Sequence, residues 1–149
     1  MKATVETPTG PVTIEADDHA ITSARWGRGG ADRSDLLDAA GAQLGEYFAG
    51  QRQAFDLPLA PGGDDFQRRF LAILRAIPYG ETRTYGEIAR EMGVSAQAIG
   101  QACGANPIPI FIPCHRVLGA SGLGGFSGGV GVETKVALLK LEGAAGLLI

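Results

Sequence analysis

Residues 84–105, TYGEIAREMGVSAQAIGQACGA, predict two short helices joined by a tight turn. Thr84 and Glu87 have the spacing of a capping box, in which each side chain caps the backbone of the other, so a helix should begin here. Gly93 can end that helix because glycine readily adopts the left-handed conformation. Ser95 can then cap a second helix. This arrangement indicates a helix-turn-helix.

Three short strands and a longer helix are predicted towards the N-terminus. Ala3–Glu6 and Val12–Ala16 lie on either side of a Thr-Pro-Thr-Gly-Pro turn and predict a hairpin. Ile21–Trp26 can add a third strand. From Ser34 the apolar residues recur at helical spacing, and the helix should end near Gly50.

The remaining elements are a linker and two further helices. Gln51–Gly63 contains two prolines and a Gly-Gly pair, which are typical of a linker. Asp64 can cap a helix that Pro78 ends, and a last helix is expected over about Glu133–Leu141. Strands followed by helices predict an α+β protein with two lobes.

The charge distribution permits a nucleic acid partner without requiring one. The chain has 149 residues and a net charge of −3, which alone argues weakly against a polyanion. Residues 1–63 carry five basic and nine acidic side chains, whereas residues 64–149 carry eight and seven. Between Glu91 and Glu133 there is no acidic residue, and Arg116 is the one formal charge. That segment could approach DNA without repulsion, but it offers few phosphate contacts.

The cysteine content and the start of the chain predict a cytoplasmic protein. No segment has the length of a membrane span, and the first residues lack the apolar core of a signal peptide. Cys103 and Cys114 are the only cysteines, so neither a disulfide framework nor a four-cysteine metal site is expected. We therefore predict a reducing environment, no bound metal and no membrane contact.

Cys114 is the candidate nucleophile, because His115 follows it directly. A neighbouring base favours the reactive thiolate, although a buried structural thiol is the plain alternative. Neighbours on a strand point to opposite faces, so the histidine would need a water relay or a bent backbone to reach the sulfur. An acid should orient the imidazole, and spacing alone does not choose between Glu142 and Glu133.

The second helix of the helix-turn-helix has an unusual surface for a DNA reader. It lacks the arginines that bind guanine edges in the major groove, and its small side chains would suit a shallow approach to the minor groove. From composition alone, tight helix packing is the favoured explanation of the same residues. The candidate DNA-binding residues are Ser95, Ala96, Gln97, Ala98 and Gly100.

Three further features have both a functional and a structural interpretation. Asn106, which precedes a proline, could bridge two backbone segments as a fixed hinge or could simply stop a helix. The glycine-rich segment Ser121–Gly131 could wrap a flat ligand, with Phe126 and Ser127 contributing a ring and a hydroxyl, or could be a flexible loop. Cys103 is assigned to helix packing.

The second lobe resembles the O6-alkylguanine-DNA alkyltransferases, also called methylated-DNA–protein-cysteine methyltransferases. Two N-terminal segments also resemble the smaller lobe of that family, so the likeness covers nearly the whole chain. The cysteine pentad together with the Asn-Pro pair is highly specific. The matching segments are Thr7–Pro11, Glu46–Gly50, Phe66–Arg69, Ile77–Thr82, Thr84–Glu87, Asn106–Pro109, Pro113–Val117, Ser127–Gly129, Leu138–Leu139 and Glu142–Gly143.

The resemblance implies the architecture and the activity. Residues 1–63 would form a ribonuclease H-like α/β lobe with its linker, and residues 64–149 an alkyltransferase domain with a winged helix-turn-helix-like DNA-binding motif. The protein would repair double-stranded DNA as a monomer, by irreversible single-turnover transfer of an alkyl group from O6-alkylguanine. O4-alkylthymine is a further candidate substrate. No cofactor would be needed, and the target base must leave the stack.

The resemblance also implies residue roles. Cys114 would accept the alkyl group, His115 would deprotonate it through a water, and Glu142 would hold the imidazole. Tyr85 would assist rotation of the nucleotide and donate towards the base, and Asn106 would brace the turn. The pocket residues implied for the guanine are Pro109, Phe126 and Ser127, together with the backbone carbonyls of Cys114 and Val117.

The chain departs from the family pattern at three positions. Gln97 stands where an intercalating arginine is common, which predicts weaker DNA affinity and slower base flipping with the sulfur chemistry intact. Phe126 replaces a frequent tyrosine and removes one hydroxyl from the pocket. Leu71 replaces a tryptophan, which we interpret as an adjustment of the core.

Two other functions fit part of the pattern. A non-catalytic alkyltransferase-like protein would flip the damaged base and recruit other repair factors, but such relatives replace the cysteine that this chain keeps. A cysteine hydrolase built from Cys114, His115 and Glu142 would turn over many substrate molecules, whereas the transferase is consumed.

Overall fold

The computed structural model describes residues 1–120 and 131–144, in which an N-terminal sheet and helix precede a mainly helical lobe. The first lobe comprises strands β1 (Lys2–Val5), β2 (Val12–Ala16) and β3 (Ile21–Trp26) and helix α1 (Asp35–Phe48). The second comprises α2 (Asp65–Arg75), β4 (Arg83–Thr84), α3 (Tyr85–Met92), α4 (Ala96–Gly104), a 3-10 turn (Cys114–Arg116), β5 (Val117–Leu118) and α5 (Val132–Glu142).

The first three strands form an antiparallel sheet in chain order, with α1 on one face. Val12, Thr13 and Ile14 are all buried, and β2 is the central strand of the sheet. Helix α1 begins where the Ser34 hydroxyl accepts the Leu37 N–H at 3.1 Å. Its buried residues recur at the three- and four-residue spacing of a helix face and end at Tyr47.

The segment predicted as a linker is fixed to the edge of the sheet. The Ile21 N–H donates to the Pro58 carbonyl at 2.8 Å, and the Ala60 N–H donates to the Ile21 carbonyl at 2.8 Å. Phe55 and Leu59 pack against the core. The connection between the lobes is therefore an integral part of the fold.

The helix starts of the second lobe follow the predicted caps. Asp64 caps α2, Ser95 caps α4, and Thr84 with Glu87 forms a complete capping box at α3. Gly93 ends α3 in the left-handed conformation, with φ of 70°. Helices α3 and α4 pack on each other as the helix-turn-helix.

A parallel pair of two-residue strands, β4 and β5, was not predicted. Arg83 pairs with Val117 and Thr84 with Leu118. The pair holds the start of α3 beside the segment that follows Cys114. Strands this short show no alternation of polar and apolar residues, so no pattern reveals them.

One continuous core extends from β2 through α1, α2 and α4 to α5. Leu71, where the resemblance leads us to expect a tryptophan, is only 2% exposed within it. The predicted α+β fold class is confirmed. Among residues 1–120 and 131–144, none of the helices is long and apolar enough to cross a membrane.

Candidate active site

Asn106 braces the loop that leads to Cys114. Its amide nitrogen donates to the Ile112 carbonyl at 2.9 Å, and its amide oxygen accepts the Ile108 N–H at 3.0 Å. Between them Ile110 has φ of 72°, an unfavourable conformation for a β-branched residue. Asn106 therefore connects the two ends of a strained loop, as the hinge interpretation anticipates.

Cys114 begins a 3-10 turn. The Cys114 N–H donates to the Ile112 carbonyl at 2.9 Å, and the Arg116 N–H donates to the Pro113 carbonyl at 3.1 Å. The backbone is thus bent at the candidate nucleophile, which is one of the two arrangements considered from the sequence. Within the described residues, no direct hydrogen bond joins the Cys114 sulfur to the His115 ring.

The carboxylate of Glu142 lies beside His115 and Arg116. The distance between His115 Nε2 and Glu142 Oε2 is 2.7 Å. Arg116 binds both carboxylate oxygens, with Nε 2.8 Å from Oε1 and Nη2 3.0 Å from Oε2. Glu133 is exposed at the start of α5, so the structure places Glu142 and not Glu133 against the imidazole.

Two partners of this carboxylate were missed from the sequence. Arg116 is 7% exposed, although arginines are rarely buried unless paired, and its Nη1 also donates to the Ile77 carbonyl at 2.6 Å. Tyr47 of the N-terminal lobe donates from Oη to Glu142 Oε2 at 2.6 Å. The apolar spacing of α1 identifies Tyr47 as a core residue but does not reveal where its hydroxyl points.

The electrostatics of the cluster determine the tautomer of His115. Burial raises the pKa of Glu142, but hydrogen bonds from His115, Arg116 and Tyr47 outweigh it and lower the pKa to about 2. An ionised carboxylate can only accept hydrogen bonds, so Nε2 of a neutral imidazole must carry the proton. Burial lowers the pKa of His115 despite the neighbouring carboxylate, which favours that neutral form. Nδ1 is consequently the basic nitrogen.

That basic nitrogen is buried and has no hydrogen-bond partner among the described residues. It lies on the residue next to the candidate nucleophile. Burial raises the pKa of the Cys114 thiol, although the Asn106 side chain and the charge of Lys135 act in the opposite direction. The resting thiol is therefore protonated, and a base must remove its proton during a reaction.

Cys114 lies in the wall of a cavity of about 760 Å³ beside the helix-turn-helix. The predicted site residues Tyr85, Ala96, Gln97 and Gly100 also line it. Cys103, assigned to helix packing from the sequence, lines the cavity as well. The other described lining residues are Gly86, Gly104, Gly119 and Ala120.

The small residues of α4 are not explained by tight packing alone. A Cβ atom built on Gly100 or Gly104 would meet no other atom within 4 Å among the described residues, and both glycines are exposed. Ser95 caps the helix by accepting the Ala98 N–H at 3.1 Å. Ser95 and Ala98 are not among the described residues that line the cavity.

A buried lysine, Lys135, was also missed from the sequence. Its Nζ donates to the Val117 carbonyl at 2.6 Å and lies 3.4 Å from Tyr85 Oη. Burial lowers the pKa of Lys135, whereas burial and the two nearby thiols raise the pKa of Tyr85 to about 12. The Tyr85 hydroxyl therefore keeps its proton at neutral pH.

The guanine-pocket residues implied by the family are only partly brought together. Pro109 and Val117 are not among the described residues that line the cavity, and Phe126 and Ser127 lie outside the described part of the chain. The Val117 carbonyl already accepts from Lys135, and the Cys114 carbonyl accepts the Val117 N–H. Each carbonyl oxygen has a second lone pair for a ligand.

Comparison with known proteins matches both lobes to domains of one family. Residues 1–61 match the ribonuclease-like domain of 6-O-methylguanine DNA methyltransferase, and residues 65–144 match the DNA-binding domain of the same family. A Methanosarcina acetivorans methylated-DNA–protein-cysteine methyltransferase is 40% identical, covering 95% of this chain and 97% of the relative. The Mycolicibacterium paratuberculosis protein of the same name is 44% identical, covering 93% and 90%.

Solved structures agree with the sequence relatives. The crystal structure of Mycobacterium tuberculosis OGT in complex with DNA is similar with a TM-score of 0.85 and 44% identity, covering 95% of this chain and 92% of that chain. The crystal structure of Mycobacterium tuberculosis O6-methylguanine methyltransferase is similar with a TM-score of 0.83 and 41% identity, covering 95% of this chain and 92% of that chain. The family predicted from the motifs is confirmed, and the chain belongs to the 6-O-methylguanine DNA methyltransferase family.

Proposed function

We propose that this protein repairs DNA by transferring the alkyl group of O6-alkylguanine to the sulfur of Cys114. The observation that carries the proposal is the position of Cys114 in the cavity wall, next to a neutral His115 whose Nδ1 is free to accept a proton. Glu142 holds the opposite ring nitrogen at 2.7 Å. This is the nucleophile, base and orienting acid that covalent catalysis by cysteine requires.

The thiol proton passes through a water to His115 Nδ1. A relay is needed because no direct hydrogen bond joins the two side chains in the described structure. The imidazolium that forms is stabilised by Glu142, which remains ionised because its pKa is about 2. The thiolate thus exists only while the base holds its proton, so the buried cysteine stays unreactive between encounters.

The transfer step is a displacement at the alkyl carbon. The sulfur forms a bond to that carbon, the bond from carbon to O6 breaks, and its electron pair remains on the guanine. A proton then returns to the purine, so that thiol plus alkylguanine become thioether plus guanine. The atoms balance with these two reactants alone, and the thioether makes the transfer irreversible.

The damaged base reaches the cavity by leaving the DNA helix, because the alkyl carbon is inaccessible in a stacked duplex. The exposed small residues of α4 allow the DNA backbone to approach the cavity mouth, and Gln97 lies at that mouth. The Tyr85 hydroxyl, which keeps its proton, donates towards the base. From the family resemblance we propose Pro109, Val117, Phe126 and Ser127 as further contacts of the guanine. From the family resemblance we also propose that the protein acts as a monomer.

Intact mass measurement tests the proposal. The protein is incubated with duplex DNA carrying one O6-methylguanine and then weighed. We expect the mass to increase by one methylene per chain in the unaltered protein and in Cys103→Ala, and not to change in Cys114→Ala. Cys103→Ala is the matched control because its thiol lines the same cavity.

Two results would overturn the proposal. An unchanged mass with tightly bound DNA would identify a lesion-binding protein that recruits other factors. Repeated turnover of small acyl substrates, without a mass change, would identify a cysteine hydrolase.

A further inference from the structure

Tyr47 provides a direct hydrogen bond between the N-terminal lobe and the acid of the candidate active site. Its hydroxyl donates to Glu142 Oε2 at 2.6 Å, across 95 positions of sequence. The side chain is 1% exposed. Its ring packs on Phe55 and on Tyr79, with centroids 5.4 Å and 6.3 Å away. The hydroxyl is thus aimed at the carboxylate by a rigid aromatic cluster.

The hydrogen bond from Tyr47 is made to the same carboxylate oxygen that contacts His115, the proposed general base. Glu142 Oε2 receives Tyr47 Oη at 2.6 Å, His115 Nε2 at 2.7 Å and Arg116 Nη2 at 3.0 Å. The other oxygen receives Arg116 Nε at 2.8 Å. Arg116 binds both oxygens of the carboxylate, and Tyr47 adds a contact to Oε2 that helps to hold the carboxylate and limits how much electron density Oε2 offers to the histidine.

We infer that Tyr47 is a positioning residue for the alkyl transfer, through which the N-terminal lobe fixes the carboxylate and sets the basicity of His115. The inference rests on the proposed function. Burial favours the un-ionised form of Tyr47, with the charge of Glu142 adding to this, so the hydroxyl remains a donor throughout the working pH range. It never touches the substrate and acts only through Glu142.

The sign of its effect on His115 follows from the geometry. A donor on Oε2 withdraws charge from the oxygen that stabilises the imidazolium, so it keeps the pKa of His115 low. The other groups that face the pair are Arg116 on the 3-10 turn, Tyr79 after α2 and Lys135 on α5. Removal of the Tyr47 hydroxyl leaves these in place. The pKa of His115 should then rise, and the carboxylate should become free to tilt.

The experiment compares Tyr47→Phe with Tyr79→Phe. Both substitutions remove one phenolic oxygen near Glu142 and keep the ring with its contacts, so both variants should fold. The Tyr79 hydroxyl donates to the Leu141 carbonyl at 3.2 Å and not to the carboxylate, which makes it the matched control. Single-turnover transfer from methylated duplex DNA is measured between pH 5 and pH 9, and urea denaturation verifies folding.

In Tyr47→Phe we expect transfer at neutral pH to slow about tenfold, in keeping with the loss of one hydrogen bond to a charged group. The acid limb of its pH–rate profile should move to higher pH. Tyr79→Phe should keep the limb of the unaltered protein. A merely structural role would lower stability without moving the limb.

The inference is wrong if Tyr47→Phe transfers at the unaltered rate with the unaltered acid limb, or if both variants shift the limb equally. These results remain distinct from failure of the proposed function. If the proposed function itself were wrong, the unaltered protein would not acquire the methyl group.

Discussion

A single buried thiol carries the proposed chemistry, and its surroundings keep it inactive until a base is available. Burial raises the pKa of Cys114, and the neutral His115 beside it has one unpaired nitrogen among the described residues. The sequence pattern predicted a nucleophile with an adjacent histidine, and the structure places Cys114 in the wall of the cavity. The pattern predicted that the base would favour the thiolate, and burial in the structure raises the pKa of the thiol, so that we expect deprotonation only during the reaction.

Gln97 is the residue with the most direct consequence for DNA. It is exposed and lines the cavity, and we expect that a long cation at this position could fill the gap left by the extruded base. We expect Gln97→Arg to speed transfer from duplex DNA, because flipping becomes more favourable. Transfer from the free base O6-benzylguanine should change little, and single-turnover rates on both substrates are the measurement.

Gln51→Arg is the control for added charge. Gln51 is exposed just after α1 in the N-terminal lobe, so this variant raises the net charge equally without changing α4. Our account of Gln97 would be contradicted by equal acceleration on DNA and free base, or by the same acceleration in Gln51→Arg.

Caps explain why the helices could be predicted and the short strands could not. Ser34, Asp64, Thr84 and Ser95 each satisfy an N-terminal backbone N–H through a local side chain, so the information lies within four residues. The pairing of β4 with β5 joins residues 34 positions apart, Arg83 and Val117 for example, and leaves no local signal.

At the scale of an element, we expect a substitution in α4 to raise the stability of the protein and to slow its reaction with DNA. Gly100 is exposed in the helix interior, and a Cβ there meets nothing within 4 Å among the described residues. Gly100→Ala should therefore raise the free energy of unfolding by about 0.5–1 kcal/mol. The methyl group should also hinder DNA at the cavity mouth and slow transfer from duplex DNA. Urea denaturation and single-turnover rates measure the two effects.

Gly45→Ala provides the comparison. Gly45 is exposed in α1, and among the described residues a Cβ there likewise meets nothing within 4 Å outside the helix's own backbone. This variant should gain similar stability and keep the rate on DNA unchanged. If Gly100→Ala also keeps the unaltered rate, α4 does not approach DNA as we propose.

At the scale of the whole molecule, the two lobes share one core and meet at a buried ionic cluster. The family motifs predicted one site from Asn106, Cys114, His115 and Glu142, and the structure places Glu142 against His115 and Asn106 on the loop that leads to Cys114. They could not show that Tyr47 reaches the same carboxylate, because that contact depends on how α1 packs against the second lobe. Long-range contacts of this kind are determined by packing and not by local pattern.

This cluster predicts a loss of stability in acid. The folded pKa of His115 lies below its ordinary value of 6.5, so the unfolded chain takes up that proton first as pH falls below about 6.5. The folded pKa of Glu142 is about 2 against an ordinary 4.5, so its contribution is present above 4.5 and disappears between about 4.5 and 2. Glu142 alone contributes about 3 kcal/mol.

Urea denaturation at a series of pH values measures this dependence. The exposed Glu133 provides a control, because Glu133→Gln should leave the profile unchanged. A free energy of unfolding that stays constant from pH 7 to pH 3 would contradict the arrangement of charges described for the site.

The number of guanines restored per protein chain tests the central claim most directly. Excess duplex DNA containing O6-methylguanine is added to a known amount of protein, and restored guanine is counted after digestion. We predict a plateau at one guanine per chain, with the methyl group found on the Cys114 peptide. Continued turnover beyond one, or a methyl group located on Cys103, would contradict an irreversible transfer to Cys114.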